Sequence, residues 1–305
     1  LWPFGSSENE KRSDSTAVAD GAEPASEPVA TKIDPSLKPK RRILVLDFIN
    51  KSSYGGTELG SQAANEVKDA LSKLPDFYAV PPETLEGYEG FITPLGTYNY
   101  RVIFDRARAH GVAGLITGTI DDVQIQEQGD EIGLFQTRYH TVTATVKYQL
   151  HDAATEKLLL AKSSNAEVTE EHTRFFGHRS PDSYDSNRGH GAVAKALEKS
   201  YPQLLAQARK VVWIGKIAKI DLQHYYINAG ELSGISRGQL LKVYGDGQQI
   251  NDNETGTALG VTLGRFKGIL KVVDYFGTDG TVAVVHSGAG FRERDRVEIY
   301  APPPQ

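Results

Sequence analysis

The sequence predicts an α+β protein in which a mixed sheet with helices on its face is followed by a small all-β barrel. Three observations support this prediction. A continuous apolar run, Ile43 to Phe48, precedes a segment with helical spacing, which is typical of a buried strand followed by a helix. Apolar and polar residues then alternate through extended segments up to about Glu170. From Trp213 onward, helical spacing gives way to short strands bounded by Gly, Asn or Asp.

The first domain is predicted to span 41–212 and to begin with the strand 43–48. Apolar residues then recur at helical spacing and predict an amphipathic helix that ends near Pro75; they are Leu59, Ala63, Val67, Ala70, Leu71 and Leu74. A short strand, Phe77 to Val80, precedes a second helix from about Asn99 to His110. Gly111 is the expected C-terminal stop of that helix.

Three extended segments come next and predict an antiparallel meander. They run from Gly114 to Gln126, from Ile132 to Leu150 and from Lys157 to about Glu170. The turns between them are expected at Gln128-Gly129-Asp130 and at Asp152-Ala153-Ala154-Thr155. A polar connection, Glu171 to Gly191, then leads into a helix from Ala192 to Val212, which Pro202 is expected to kink or split.

The second domain, 213–301, is predicted to be a small β-barrel, followed by a tail at 302–305. Its six strands are expected at Ile214 to Asp221, Tyr225 to Asn228, Gln239 to Tyr244, Phe266 to Tyr275, Thr281 to His286, and Arg296 to Tyr300. Two segments inside it echo each other, Gly234-Ile235-Ser236-Arg237-Gly238 and Gly290-Phe291-Arg292-Glu293-Arg294-Asp295. Each leads into a strand, and the repeat predicts two similar corners of the barrel.

The first 40 residues are predicted to be a disordered tether, because they are rich in Ser, Glu, Ala, Asp and Pro and offer little apolar surface to bury. The chain begins at Leu1 and contains no Met, which we interpret as the result of a cleaved leader. An apolar start before a polar linker resembles a mature bacterial lipoprotein whose acylated Cys lies just upstream. An arbitrary boundary of the sequence is the alternative.

Composition excludes several classes of function. The net charge of −5 is mild, and the basic residues are spread along the chain, so we expect no nucleic-acid partner. The absence of Cys excludes disulfides, thiolate metal sites and cysteine nucleophiles. No run approaches the roughly 18 apolar residues that a spanning helix needs.

The search for chemistry yields no catalytic, cofactor-binding or metal site, and we expect no enzyme activity and no cofactor. Potential metal ligands gather only in the polar connection, at Glu171, His172, His178, Asp182, Asp185 and His190, without the fixed spacing of a zinc site. The pair Gly55-Gly56 with Gly60 matches neither phosphate-binding fingerprint and is interpreted as a plain strand-to-helix turn.

Aromatic and cationic residues near strand ends form a candidate interaction surface: Tyr139, His140, Arg174, Phe175, Phe176 and Tyr184. Ordinary packing is the alternative for that set.

The order of elements resembles a fold shared by the curli-secretion lipoprotein CsgG, the TolB N-terminal domain and the middle domain of FlgT. The resemblance covers about 41–212 and depends on four stretches: Arg42 to Asn50, Leu59 to Leu74, Val112 to Ile120 and Leu150 to Thr155. The C-terminal part is similar to the barrel of FlgT-like proteins, an SH3-like or related barrel, through Trp213 to Ile217, Tyr226 to Gly230 and Gly234 to Gly238. The resemblance implies an envelope protein that assembles into a ring or caps another machine, with no catalytic residues to transfer.

Three functions therefore compete. The first is a non-catalytic periplasmic scaffold, anchored to the outer membrane through an N-terminal lipid, that forms a homo-oligomeric ring with other envelope proteins, as a flagellar basal-body accessory protein does. The second is a tethered lipoprotein regulator of a peptidoglycan synthase. The third is an envelope hydrolase that uses the loop from Glu171 to His190 and needs a bound metal. The barrel domain favours the first, since a bare regulator has no need of it.

Overall fold

The computed structural model describes residues 38–132, 135–175 and 186–300, with side chains described outside 127–139, 170–175 and 186–188. The predicted tether, except for 38–40, and the tail at 302–305 lie outside these residues. The described chain contains four α-helices, a mixed sheet and a closed six-stranded barrel, so the predicted α+β class is confirmed. None of the described helices is long and apolar enough to cross a membrane.

The sheet of the first domain combines parallel and antiparallel strands. Its strands are β1 (Arg41–Val45), β2 (Ile49–Asn50), β3 (Phe77–Val80), β4 (Gly114–Ile132), β5 (Phe135–Asp152) and β6 (Leu158–Phe175). They lie in the order β3-β1-β4-β5-β6, with β2 also paired to β4. Strand β1 is parallel to β3 and β4, whereas β4, β5 and β6 are successively antiparallel. The predicted meander is therefore present.

Four helices cover the two faces of this sheet. They are α1 (Gly56–Ser72), α2 (Tyr100–Ala109), α3 (Ser186–Glu198) and α4 (Tyr201–Ala208). Helices α1, α3 and α4 bury their apolar residues in one core with β5, and α2 packs in a second core on the opposite side, with Leu44 and Leu115. Strand β1 and the start of β4 are covered on both faces, which accords with their apolar sequences, Ile43 to Val45 and Leu115 to Ile116.

Helix α1 lies very close to the strand that precedes it. The N–H of Phe48 donates to the carbonyl of Gly60 at 3.1 Å, and a Cβ at position 60 would lie 1.9 Å from the Phe48 carbonyl oxygen. Gly55, at the N-cap, has a φ of 76°, which glycine adopts without strain. These glycines therefore serve a tight turn and close packing, as predicted.

Three predicted boundaries were wrong. Gln128-Gly129-Asp130 is not a turn, because β4 continues through it in register with β5, so cross-strand pairing outweighs local turn preference. The polar connection is shorter than predicted at both ends: β6 extends to Phe175, and α3 begins at Ser186. The predicted break near Pro202 is present, since α3 and α4 are separate helices and the proline lies in the first turn of α4.

The C-terminal part contains eight strands, and six of them form a closed barrel. The strands are β7 (Gly215–Asp221), β8 (His224–Ile227), β9 (Leu240–Tyr244), β10 (Gln249–Asn251), β11 (Ala258–Val261), β12 (Phe266–Phe276), β13 (Gly280–Gly288) and β14 (Arg296–Ile299). The closed order is β12-β13-β8-β7-β14-β9, and its six members match the six predicted strands. The two-stranded ribbon β10–β11 was not predicted, because its strands are short and exposed.

The two echoing segments form equivalent corners of the barrel. Gly234 and Gly290 have φ angles of 77° and 76°, and Gly238 and Arg294 have 81° and 73°. Between them, Ile235 is fully buried in the barrel core, and Phe291 packs against the same core. The repeated sequence pattern thus corresponds to a repeated backbone conformation.

Candidate functional site

Strands β4, β5 and β6 extend far beyond the helices that cover the sheet. They are 19, 18 and 18 residues long, against a mean of roughly 5–6 in globular proteins. The last residues of these strands that are buried in the helix-covered core are Val123, Val142 and Ala166. We call the part beyond these residues, 124–132, 135–141 and 167–175, the arm. At about 3.3 Å per residue, strands of this length span roughly 23–30 Å.

The arm has two edges. Strand β4 pairs with β1 and β2 only as far as Ile120, and beyond that point its sole partner among the described residues is β5. Strand β6 lies at the end of the sheet and pairs with β5 alone in the described chain. Edge strands direct half of their N–H and C=O groups outward, where another strand can bind them.

Helix α3 covers the inner part of the β6 edge. The Lys195 ammonium donates to the carbonyl of Glu167 at 3.2 Å, and Lys199 donates to the carbonyl of Asn165 at 3.1 Å. These carbonyls belong to alternate residues, so odd-numbered residues of β6 direct their backbone groups away from β5. The two lysines cover the outward carbonyls of β6 as far as Glu167. Thr169 is therefore the first outward-facing residue that they leave uncovered.

The structure brings most of the predicted interaction surface onto the arm. Tyr139 and His140 lie in β5, opposite Glu171 and Glu170 of β6. Arg174 and Phe175 lie at the far end of β6, opposite Gln136 and Phe135. His140 is only 7% exposed, which accords with packing inside the protein. Phe176 and Tyr184 lie outside the described residues, and the contact role of the set stays a prediction.

The potential metal ligands of the polar connection are separated in the fold. Glu171 and His172 lie in β6, whereas His190 lies in α3 with its Nε2 3.0 Å from Glu66 Oε1 of α1. His178, Asp182 and Asp185 lie outside the described residues. Within the described ranges, no group of three or more His, Cys, Asp or Glu residues is placed to hold a metal.

Arg42 joins the sheet to the barrel. Its guanidinium donates to the Ser233 hydroxyl at 3.1 Å and to the His110 carbonyl at 3.2 Å, and it also donates to the Asn228 carbonyl. It lies 3.3 Å from the Asp279 carboxylate. Burial lowers the pKa of Arg42, and the charge of Asp279 opposes that shift.

Asp279 organises the barrel side of this junction. Its Oδ1 accepts from the backbone N–H of Gly230 at 2.8 Å and from that of Ser233 at 3.0 Å. A further bond links the N–H of Lys40 to the Ser233 carbonyl at 2.8 Å. Backbone and side-chain contacts together therefore fix the barrel against strand β1.

A cleft of about 960 Å³ lies between α2 and the barrel. Helix α2 contributes Arg106 and Arg108, while the barrel contributes Lys216 of β7 and Arg296 of β14 together with Arg294. Residues 245–247 and the end of β11 complete its wall. The volume lies within the range of small-molecule sites.

The cations of the two walls differ in how they are neutralised. Arg108 lies 2.5 Å from both Asp105 and Glu156, and Arg106 lies 3.3 Å from Glu86. On the barrel wall, the nearest carboxylate oxygen to the Lys216 ammonium is that of Asp246, at 3.7 Å.

Sequence reasoning missed this cleft. Its cations come from positions more than 180 residues apart, between Arg106 and Arg296, and no local motif connects them. The one signal in the sequence is the alternation of Arg294 and Arg296 at one of the two predicted barrel corners.

Comparison with known proteins assigns no family, since no family model matches the chain and no curated protein matches it. Among solved structures, hypothetical protein CT253 from Chlamydia trachomatis is 11% identical, with a TM-score of 0.34 over 55% of this chain and 98% of that chain. Lipoprotein GNA1162 from Neisseria meningitidis is 17% identical, with a TM-score of 0.28 over 54% and 99%. The C-terminal domain of LpoB from Salmonella enterica is 14% identical, with a TM-score of 0.30 over 43% and 85%. At such TM-scores none of the three decides what this chain does, and the resemblance to CsgG, TolB and FlgT stays a prediction.

Proposed function

We propose that this chain is a non-catalytic assembly protein of the bacterial cell envelope and that its arm pairs with the arms of further copies. The observation that supports this most directly is the presence of two edges on one three-stranded arm. The β4 edge lies on one side and the β6 edge on the other. Two different edges permit head-to-tail pairing, which closes into a ring when the rotation between copies allows it.

The barrel gives the assembly a second surface. It contacts the sheet through Arg42 and Asp279. In this proposal the arms make the lateral contacts, the barrel meets another envelope protein, and the ring is held at the outer membrane from the periplasm by an N-terminal lipid. Service to a flagellar basal body is the finer form of the proposal and depends on the sequence resemblance alone.

The test is a pair of proline substitutions that block one edge each. Thr169 is the first odd-numbered residue of β6 beyond the lysine-covered part, so Thr169→Pro removes an outward N–H while leaving the pairing with β5 intact. On the other edge, the register with β5 places the backbone groups of Ile125 outward, and Ile125→Pro is the equivalent change. Thr169→Val and Ile125→Val keep the N–H and serve as matched controls.

Light scattering on the full chain gives the result. Each proline variant should lose the oligomer that the valine variants retain. An equimolar mixture of the two proline variants should form dimers and nothing larger, because one intact β4 edge and one intact β6 edge remain to pair. Oligomers of unchanged mass in both proline variants would contradict pairing through the arm. A monomer in every variant would favour the tethered regulator of a synthase.

A further inference from the structure

The barrel wall of the cleft places two cations directly opposite each other. Lys216 of β7 and Arg296 of β14 are partners in the antiparallel register, and both line the cleft. Like charges at such positions destabilise a sheet. Arg294, which also lines the cleft, has its backbone carbonyl 3.0 Å from the Lys216 ammonium, so three cationic residues lie together.

Two of these cations, Lys216 and Arg294, have no carboxylate oxygen within hydrogen-bonding distance among the described residues. The Lys216 side chain is 13% exposed, whereas Asp246, its nearest carboxylate, is 67% exposed at 3.7 Å. Burial lowers the pKa of Lys216, attraction to Asp246 opposes that shift, and repulsion from Arg296, Arg294 and Arg108 adds to it. Within the part of the chain that the structure describes, the Arg294 side chain has neither an ion pair nor a hydrogen bond.

Arg296 retains unused hydrogen-bonding capacity although it is only 8% exposed. Its Nη2 lies 2.8 Å from Glu298 Oε1, and its guanidinium lies over the Tyr244 ring at 5.1 Å. Its Nε has no acceptor among the described residues. Leaving a buried charged donor unsatisfied is costly, so the protein only partly compensates the charge of Arg296.

We propose that this cleft binds a phosphate group, held by Lys216, Arg294 and Arg296. A tetrahedral dianion offers acceptors in several directions, which suits cations on two paired strands and on the turn that precedes β14. A carboxylate presents its acceptors in one plane and suits a single guanidinium, as Glu156 and Glu86 do on the opposite wall. The cleft volume leaves space for a small group esterified to the phosphate. This site is independent of pairing through the arm.

The test is calorimetric titration of the full chain with inorganic phosphate and, separately, with glycerol 3-phosphate. Saturable binding of at least one of them is expected. Lys216→Gln and Arg294→Gln should each weaken that binding about tenfold, the effect of losing one charge-assisted hydrogen bond. Lys219→Gln, at an exposed position of the same strand, is the matched control and should bind as the wild type does.

Thermal unfolding without phosphate distinguishes a role of Lys216 in ligand binding from a role in stabilising the fold. Lys216→Gln should raise the Tm or leave it unchanged, since the substitution relieves repulsion among the three cations. Tighter binding of glycerol 3-phosphate identifies an esterified ligand, and tighter binding of inorganic phosphate identifies the free ion. Absence of saturable binding of both, equal binding by Lys216→Gln and Lys219→Gln, or a lowered Tm of Lys216→Gln would overturn the proposal.

Discussion

The guanidinium of Arg42 lies 3.3 Å from the carboxylate of Asp279, across 237 positions of sequence. Arg42 belongs to the first strand of the sheet, and Asp279 lies between the last long strands of the barrel. Both are largely buried, with side-chain exposures of 11% and 24%. This charge pair and the hydrogen bonds around it contribute to the relative position of sheet and barrel, together with the buried cluster of Ala113, Val211 and Ile214.

Breaking this pair should destabilise the protein strongly. Arg42→Ala leaves Asp279 buried without its cation, and we expect the free energy of unfolding to fall by about 3 kcal/mol or more. Denaturant titration measures the change. Arg106→Ala is the control, because its pair with Glu86 is exposed and should contribute less than about 1 kcal/mol. Equal losses in the two variants would show that the junction does not depend on Arg42.

Gly60→Ala should loosen the packing of α1 on the sheet. The added Cβ meets the Phe48 carbonyl at 1.9 Å, so helix and strand must separate, at a cost of about 1–3 kcal/mol. Gly191→Ala in α3 is the control, because a Cβ there meets nothing within 4 Å. That substitution should raise stability by roughly 0.5–1 kcal/mol through helix propensity. Chemical denaturation should show a lower free energy of unfolding for Gly60→Ala and a higher one for Gly191→Ala.

Stability should fall on mild acidification, in part because of His151. The ring is buried beside Tyr100 and Phe104, and burial lowers its pKa below the ordinary value. Below about pH 6.5 the unfolded chain therefore binds a proton at this histidine, whereas the folded chain does not bind it until the pH is lower. The free energy of unfolding should decrease as the pH falls from about 6.5 toward the folded pKa.

Comparison of unfolding at pH 7 and pH 5 measures this effect. His151→Phe should reduce the difference between the two pH values, whereas His224→Gln, at an exposed position of β8, should leave it unchanged. A difference in His151→Phe as large as that of the wild type would assign the acid sensitivity to other groups.

Removing the two lysines that cover β6 should increase self-association. Lys195→Ala with Lys199→Ala exposes the carbonyls of Glu167 and Asn165, which lengthens the free edge. We expect larger or less discrete particles in light scattering than for the wild type. Lys162→Ala, on β6 itself, keeps both lysine contacts and is the control. An unchanged particle size in the double variant would show that the lysines do not protect the edge.

Most of the fold could be predicted because its elements have strong local patterns. The helix 100–109 lies between Asn99, whose side chain accepts from the Val102 N–H at 3.5 Å, and Gly111, with a φ of 68°. Residues of this kind signal helix ends in the sequence itself. The six barrel strands were likewise bounded by turn residues.

The arm and the cleft could not be predicted in the same way. The length of β4 depends on its register with β5, which carries the strand through Gly129 and Asp130 although both residues favour turns. The cleft depends on how the barrel docks on α2, and contacts such as Arg42 with Asp279, which are distant in sequence, contribute to this docking. Long-range pairing of this kind leaves no local periodicity.

The mass of the full chain in solution, measured by light scattering over a concentration series, tests assembly through the arm most directly. Head-to-tail pairing of the β4 and β6 edges predicts one discrete mass that is a whole multiple of the monomer and that Thr169→Pro abolishes while Thr169→Val does not. A monomer at every concentration, or an oligomer that Thr169→Pro leaves intact, would contradict it.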